Sequence, residues 1–391
     1  MRQVVEYASK ALAKSGEELC GDTVHILSTP TSFIAVLSDG LGSGVKANIL
    51  STLTAQIAAT MFKQGAHVEE VLETLASTLP ECQVRKLAYA TFAMVKVVRG
   101  REAYLVEYDS PPLIVIRDGK QLKLEAHERT INERRVREAV FEIKVGDYMV
   151  MTSDGYEHAG VGKLYRLGWG QQNIAVSVER WARTNCDAYE LMHALSSTCL
   201  KLYDGKPGDD ATAVAMRVRP AVAATILTGP PANKADDERV VAKLMESKGL
   251  KAICGGTTAQ MAARVLGREL QVEWVRPSQR HGEAPRKQNT PPVARLEGVD
   301  LVTEGILTLG KTAELLERAE STRDLPHDDD AATQLARMLL SSDEIHLIVG
   351  MALNPNQVAD VIRGEPMRHM YIRQIVRELQ RRQKRVSEEY I

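Results

Sequence analysis

The chain has 391 residues, of which 44% are hydrophobic and 26% are charged, and its formal net charge is −1. This length predicts two domains, and the near-neutral charge excludes a protein drawn to nucleic acid or to an anionic membrane by its overall field. No apolar run approaches the roughly 20 residues that a membrane-spanning helix needs, and the N-terminus lacks the pattern of a secretory signal. We therefore expect neither nucleic acid nor a membrane as a partner.

The five cysteines are scattered along the chain, and no two of them form a Cys-x-x-Cys pair. An odd and dispersed set argues against both a disulfide framework and a zinc site, and it is typical of a reducing compartment. The sequence thus predicts a cytoplasmic protein.

In the first half, hydrophobic β-rich segments occur in blocks that are separated by helical stretches. The predicted strands lie within 21–37, 90–120, 139–155 and 208–219, and the predicted helices cover 45–65, 68–79 and 172–202. Blocks of strands followed by helices predict an α+β domain with antiparallel sheets over residues 1–219.

Beyond Arg219-Pro220 the pattern changes to strands that alternate with helices, which predicts a separate α/β domain with a parallel sheet over residues 222–391. A charged helical pattern over 367–389 predicts that this domain ends in a helix.

Four acidic corners of the first half form the candidate site. Each follows or precedes a hydrophobic segment beside a glycine: Asp22, Asp39, Asp154 and the pair Asp209-Asp210. Carboxylates that meet at strand ends repel one another unless a cation lies between them, and Mg²⁺ and Mn²⁺ prefer carboxylate oxygen. Taken singly, an Asp-Gly pair is more often a turn, so the hypothesis of a metal site depends on the whole set.

The words around these corners carry a family resemblance. The most specific are VLSDGLGSGVKA (36–47) and VGDYMVMTSDGYEHA (145–159), and the further matching words are Gly21-Asp22 before a strand, DSPPLIVIRDG (109–119) and GDDATAVAM (208–216). In chain order they resemble the metal-dependent type-2C protein phosphatases, in the bacterial branch of SpoIIE, RsbU and RsbX. The resemblance covers about residues 1–219 and implies a four-layer α-β-β-α sandwich of two antiparallel sheets. It does not extend to residues 222–391.

The resemblance also implies a site with two Mn²⁺ or Mg²⁺ ions. Asp39 would bridge both ions, and Gly40 would offer its backbone carbonyl. Of the adjacent acids, Asp209 is chosen over Asp210 because the ligand in the family pattern is the first acid of Asp-Asp-x-Thr. The implied metal ligands are Asp22, Asp39, Gly40, Asp154 and Asp209, and the four aspartates are also the implied catalytic residues. The implied reaction is attack of a metal-bridging hydroxide on phosphoserine or phosphothreonine of a regulatory protein.

Two departures from the family pattern stand out. Larger members carry an N-terminal arginine that grips the substrate phosphate, and no counterpart can be fixed in this sequence. His158 separates Glu157 from Ala159, where the branch usually has an acid directly before alanine. His158 is either a general acid or a solvated loop histidine.

In the second half, two turns are a candidate ligand site. Gly255, Gly256, Thr257 and Thr258 follow a predicted strand and begin a helix, and Glu304 ends the next predicted strand. Amides and hydroxyls at a helix N-terminus can hold an anion, but the same residues also suit a tight turn with a threonine N-cap. In a parallel sheet both turns would lie at the carboxyl edge, where a small-molecule or protein effector would bind.

The word His327–Thr333 resembles a second Asp-Asp-Ala-Thr motif. A helix pattern follows it, so its acids are interpreted as an N-cap and not as metal ligands.

The sequence leaves three functional hypotheses. The first is a metal-dependent phosphoprotein phosphatase with a C-terminal regulatory domain. The alternative is a catalytically silent module that uses the phosphatase fold as a scaffold for binding, although all four ligand acids are present. In the third, the C-terminal half is an enzyme that uses the crevice of Thr257 and Glu304, but no residue pattern names its chemistry.

Overall fold

A computed structural model describes residues 2–29, 31–79, 90–131, 134–162, 166–273, 293–328, 330–352, 361–362 and 365–391. The chain divides into two compact units, Met1–Pro220 and Ala221–Ile391. Within the described residues, no helix is both long enough and apolar enough to cross a membrane.

The N-terminal unit contains two antiparallel sheets. Its strands are β1 (Gln3–Leu12), β2 (Thr23–Ser28), β3 (Ser32–Asp39), β4 (Thr91–Val98), β5 (Glu102–Tyr108), β6 (Ile114–Arg117), β7 (Lys120–Gln121), β8 (His127–Ile131), β9 (Arg134–Glu142), β10 (Tyr148–Thr152) and β11 (Ala211–Pro220). One sheet has the order β2-β3-β4-β5-β9-β8, and the other has the order β1-β11-β10-β6-β7. The helices are α1 (Gly44–Gln64), α2 (Val68–Thr78), α3 (Asp154–Glu157), α4 (Gln171–Ala182) and α5 (Ala188–Leu202).

The alternation of side chains along β3 shows how these elements form layers. Ala35 and Leu37 pack between the two sheets, against residues of β10 and β11. Ile34 and Val36, which point to the opposite face, pack against α1 and α2. On the other sheet, the alanines of β11 pack against α4 and α5. Because both faces of each sheet are covered, the central strands are apolar on both sides, and the unit is the predicted α-β-β-α sandwich.

The C-terminal unit is built on a mixed sheet that has seven strands among the residues that the structure describes. Its strands are β12 (Ala223–Thr228), β13 (Leu250–Cys254), β14 (Gln271–Glu273), β15 (Val293–Leu296), β16 (Val299–Thr303), β17 (Glu344–Val349) and, after the short pair β18 (Val361–Ile362) and β19 (Glu365–Pro366), β20 (Arg385–Tyr390). The helices are α6 (Asp237–Glu246), α7 (Gly256–Leu266), α8 (Ile306–Arg318), α9 (Ala331–Ser341) and α10 (Met367–Arg381), with 3₁₀ turns at Lys234–Asp236 and Thr322–Asp324.

This sheet has the order β14-β15-β16-β13-β12-β17-β20. Five neighbouring strands run parallel, as the alternating pattern predicted: β16, β13, β12, β17 and β20. Strands β14 and β15 extend one edge of the sheet as antiparallel strands. The unit is therefore α/β, with helices α6 and α7 packed on one face and α8, α9 and α10 on the other.

The prediction of a terminal helix over 367–389 is wrong in its second part. Helix α10 ends at Arg381, and Gln383 adopts a left-handed backbone conformation with φ of 61°. Residues Arg385–Tyr390 then form β20, which pairs in parallel with β17 at the edge of the sheet. A strand at the edge of a sheet is exposed to water and can carry many charged residues. Its composition therefore does not distinguish it from an exposed, charged helix.

Candidate metal centre

The predicted acidic corners lie at the ends of strands that face each other across the two sheets. Asp22 directly precedes β2, and Asp39 ends β3, its neighbour in the six-stranded sheet. Asp154 begins α3, with one residue between it and the end of β10. The Asp209-Asp210 pair directly precedes β11, which neighbours β10 in the other sheet. The sandwich thus brings corners that are up to 188 residues apart in sequence to one end of the fold.

Glycines allow these corners to touch. A Cβ atom at Gly40 would overlap the carbonyl oxygen of Gly21, and a Cβ atom at Gly155 would overlap the carbonyl oxygen of Asp210. A Cβ atom at Gly21 would lie 2.8 Å from Oδ2 of Asp210. The three glycines are therefore required by close backbone packing around the acids.

We expect the substitution Gly155→Ala to lower the free energy of unfolding by about 3 kcal/mol, because the new methyl group meets backbone atoms that cannot move aside. Urea denaturation of the metal-free chain measures this change. Gly208→Ala is the matched control: its Cβ atom would meet only ring carbons of Tyr203, at 3.5 Å or more, and we expect a change within about 0.5 kcal/mol. Equal effects of the two substitutions would contradict the close packing.

The carboxyl groups of Asp22, which is buried, Asp39, which is half-buried, and Asp154, which is exposed, influence one another electrostatically. Burial raises the pKa of Asp39 to about 9, and the carboxylates of Asp22 and Asp154 add to the increase. Burial also raises the pKa of Asp22 to about 6, although Ser153 and Thr212 hydrogen-bond to it, and Asp210 and Asp154 add to the increase. Like charges in a site of low polarity cannot all ionise unless a cation compensates them.

Two buried carboxylate oxygens are left without partners. Oδ2 of Asp22 and Oδ2 of Asp210 accept no hydrogen bond from any residue that the structure describes. Buried polar atoms are nearly always satisfied, so orphaned acceptors beside other carboxylates fit a site for a hard divalent cation. Among the described residues, no group of three or more His, Cys, Asp or Glu side chains is already arranged to hold a metal ion. The donors are of the right chemical kind, and their side chains would have to reorient to close around a cation.

The pKa of Asp39 predicts that pH affects the stability of the metal-free chain. Between its ordinary pKa of about 4 and the folded value of about 9, the folded state holds a proton that the unfolded state has lost. Stability therefore falls as pH rises through this window, by up to about 1.4 kcal/mol per pH unit. Urea denaturation in EDTA at about pH 5 and about pH 8 should show this loss for the wild type relative to Asp39→Asn, which does not titrate. A difference that stays constant with pH would contradict the raised pKa.

The two adjacent acids before β11 occupy different environments. Asp210 is buried, and its Oδ1 accepts a hydrogen bond from the backbone N–H of Lys14 at 2.9 Å. The Asp209 side chain is 48% exposed, and its Oδ1 lies 3.8 Å from Nζ of Lys14. Burial raises the pKa of the Tyr203 hydroxyl, and the negative charges of Asp209 and Asp154 add to the increase. Asp210 thus lies beside Asp22, and Asp209 lies beside Lys14 and faces solvent.

Sequence reasoning missed three groups that position these acids. The hydroxyls of Ser153 and Thr212 hydrogen-bond to Asp22, and Oγ of Ser153 accepts the backbone N–H of Thr212 at 2.9 Å. Lys14 lies in the connection between β1 and β2, and it contacts both Asp209 and Asp210; strand β1 was not predicted from the sequence. A signal existed for Thr212, since Asp210 and Thr212 are two residues apart and hence on one side of an extended chain.

Two further predicted features lie at the margin of this centre. Gly40 is buried and packs its backbone against Gly21 and α1. His158 ends α3 with an exposed side chain, in keeping with a solvated histidine.

In the C-terminal unit, the two predicted turns lie side by side, because the backbone N–H of Gly255 donates to the carbonyl of Thr303 at 2.8 Å. Thr258 is buried, and the carboxylate of Glu304 accepts the N–H groups of Leu307 and Thr308 at the start of α8. Glu304 is therefore occupied as a helix cap. Gly255 and Gly256 form the turn into α7, and Thr257 lines a cavity of about 500 Å³.

The second Asp-Asp-Ala-Thr word is a helix cap, as predicted. Oδ1 of Asp330 accepts the N–H groups of Ala332 and Thr333 at the start of α9. Asp329 lies outside the described residues.

Comparison with known proteins identifies the N-terminal unit. Residues 29–219 match the model of the family described as Stage II sporulation protein E (SpoIIE). These residues form a SpoIIE-family domain. This confirms the resemblance that was read from the aspartate corners, and the match ends where the C-terminal unit begins.

The SpoIIE-family domain has a similar relative in Stage II sporulation protein E of Bacillus subtilis (strain 168), which is 24% identical over 212 residues. This alignment covers 53% of the chain and 25% of that relative, so the chain spans about a quarter of its length.

Solved structures that are similar to the chain include the following three. The phosphatase domain of SpoIIE from Bacillus subtilis, with a fragment of its regulatory domain, has a TM-score of 0.46 and 21% identity over 56% of this chain and 64% of that chain. The RsbU and RsbW domains of Rv1364c from Mycobacterium tuberculosis have a TM-score of 0.45 and 18% identity, over 75% of this chain and 80% of that chain. RsbX in complex with magnesium has a TM-score of 0.39 and 17% identity, over 55% of this chain and 95% of that chain.

Proposed function

We propose that the SpoIIE-family domain is a hydrolase, a metal-dependent serine/threonine phosphoprotein phosphatase with two Mn²⁺ or Mg²⁺ ions. The observation that carries this proposal is the shared negative centre of Asp22, Asp39 and Asp154, in which the pKa of Asp39 is raised to about 9. Such a centre is unfavourable on its own and becomes favourable when divalent cations compensate it.

The aspartates Asp22, Asp39, Asp154 and Asp209, with the backbone carbonyl of Gly40, would hold the cations. When bound, the cations supply an activated water and neutralise charge on the phosphoryl oxygens. Ser153 and Thr212 orient the carboxylate of Asp22 through their hydroxyls. Asp210 holds the backbone of Lys14 against this corner.

We further propose that the substrate is a phosphorylated regulatory protein. Helix α1 begins directly after the Asp39 corner and exposes apolar side chains four residues apart, at Val45, Ile49 and Leu53. An apolar stripe beside the acidic centre supports a folded protein as substrate, since a small phosphoester would not need it.

The proposal is tested by phosphate release from phosphoserine and phosphothreonine peptides, with Mn²⁺ added to a chain previously treated with EDTA. We expect turnover that requires the metal and returns when Mn²⁺ or Mg²⁺ is restored, and slower turnover of p-nitrophenyl phosphate. Absence of metal-dependent turnover on every phosphopeptide would contradict the phosphatase proposal.

A catalytically silent binding module is the second candidate. It is favoured by the absence, among the described residues, of a group already arranged around a metal, and by the cation of Lys14 beside Asp209. Calorimetric titration with Mn²⁺ separates the two candidates. The phosphatase should bind the metal with released heat and displaced protons, and the silent module should not.

For the rest of the chain, we propose that the C-terminal α/β unit binds a small-molecule or protein effector and that the protein acts in the cytoplasm. The scattered cysteines support the location.

A further inference from the structure

The order of the parallel strands in the C-terminal unit has a reversal point. From β12 the chain proceeds through β13 to β16 on one side, and it then returns to place β17 and β20 on the other side of β12. In open α/β sheets, ligands bind beyond the carboxyl ends of the strands where the order reverses. In this sheet that place lies beyond the ends of β12 and β17.

A cavity of about 500 Å³ lies at this place. Its walls come from the loop after β12, the loop after β17, the first turn of α6 and one side of α7 from Thr257 to Arg264. The residues that the argument uses are Pro230, Lys234, Thr257, Gln260, Met261 and Arg264. Its volume falls in the range of pockets that hold small organic ligands, roughly 300–1,000 Å³.

The charges around the cavity favour an anion. Lys234 is exposed and forms no ion pair with any residue that the structure describes. Arg264 pairs with the buried Asp237 at 2.5 Å, so this pair contributes no net charge. The N-terminus of α7, with Thr257 in its first turn, adds the positive end of a helix dipole. The lining therefore carries a net positive charge.

A second observation comes from Arg368, at the start of α10. Its guanidinium lies against Gly229 and donates to the carbonyl of Gly350 at 3.0 Å, so it touches the loops that follow β12 and β17. Burial lowers the pKa of Arg368, and no carboxylate of the described residues pairs with it. Arg368 does not line the cavity, but as a half-buried cation without a counter-charge at the reversal point it adds to the positive potential there.

We propose that this cavity binds a phosphorylated organic molecule of about mononucleotide size. The phosphate would meet Lys234, the hydroxyl of Thr257 and the N-terminus of α7. The organic part would lie on Pro230 and Met261, and Gln260 offers both a donor and an acceptor to it. None of the phosphatase aspartates takes part in this site. An experiment can therefore refute the ligand site without refuting the phosphatase activity, and the reverse.

Calorimetric titration of the full chain in EDTA tests the site, with ADP and GDP as probes and with adenosine and inorganic phosphate as their separate parts. EDTA prevents metal-bridged binding of the probes to the aspartates. We expect at least one nucleotide to bind with a dissociation constant below about 1 mM, and each separate part to bind at least about tenfold more weakly.

Lys234→Glu should weaken nucleotide binding at least about tenfold through charge reversal, and Gln260→Trp should weaken it by filling the cavity. Both side chains are exposed, so the fold should tolerate the changes. Lys248→Glu, an exposed lysine beyond the end of α6, is the matched control and should bind as the wild type does. No nucleotide binding, equal binding of a separate part, or unchanged binding in both variants would overturn the proposal.

Discussion

The substitution Asp39→Asn is expected to reduce Mn²⁺-dependent phosphate release by about a thousandfold. Asp39 ends β3 at the centre of the acidic cluster, and its pKa is raised by both burial and two neighbouring carboxylates. The amide keeps the size of the side chain and one acceptor oxygen, but it removes the charge that a metal ligand at this position would supply. Rates on a phosphopeptide across a series of Mn²⁺ concentrations measure the effect.

The matched control is Asp118→Asn. Asp118 is exposed, and it adopts a left-handed conformation with φ of 50° that asparagine tolerates as well. We expect its rate to remain within about twofold of the wild type. If Asp39→Asn kept the wild-type rate while Asp118→Asn also did, the acidic centre would not be the catalytic one.

Substitutions of the adjacent acids Asp209 and Asp210 are expected to have different effects, the first on the phosphatase rate and the second on stability. Asp209→Asn should lower the phosphatase rate about a hundredfold because Asp209 belongs to the proposed ligand set. It should leave the free energy of unfolding within about 0.5 kcal/mol because the side chain is exposed. Asp210→Ala should lower the free energy of unfolding by about 2 kcal/mol, because the buried backbone N–H of Lys14 loses its acceptor. Steady-state rates and urea denaturation of both variants measure the two effects.

Asp210→Asn separates charge from hydrogen bonding at the second position. Its amide oxygen can still accept the N–H of Lys14, so this variant should be more stable than Asp210→Ala and should retain most of the activity. A rate for Asp209→Asn that matches the wild type, combined with an inactive Asp210→Asn, would reverse the assignment and make Asp210 the metal ligand.

Much of the N-terminal fold was predictable because its signals are local. The segment SFIAVLSDG alternates between two apolar faces and stops at Asp-Gly, so both β3 and the Asp39 corner follow from the residues themselves. The helix of residues 45–65 also ends as predicted, with Gly65 in a left-handed conformation at φ of 91°.

Strand β1 was not predicted, because its apolar residues Val4, Val5, Ala8, Ala11 and Leu12 are spaced as in a helix. Its conformation is set by antiparallel pairing with β11, from Gln3 opposite Pro220 to Leu12 opposite Ala211. A partner about 200 residues away leaves no trace in the local pattern. The strand β20 escaped prediction for a related reason, since β17 is what holds it extended.

The candidate sites show the same limit. Spacing and family pattern named the aspartates, but the contact between Asp210 and Lys14 depends on how β1 leads into the corner. In the C-terminal unit, sequence reasoning chose Glu304, whose carboxylate caps α8, and missed Lys234 and Arg264. Arg264 lies on the same helix as Thr257, but Lys234 reaches the cavity from the 3₁₀ turn after β12, and only the pairing of β12 with β13 brings it near α7.

The most direct test of the metal centre is anomalous X-ray scattering from crystals of the chain grown with Mn²⁺. We expect manganese peaks between the carboxylates of Asp39 and Asp154, with Asp22 reoriented towards them. Saturating Mn²⁺ with no peak at this cluster, or with peaks only elsewhere in the chain, would contradict a metal-dependent phosphatase built on these aspartates.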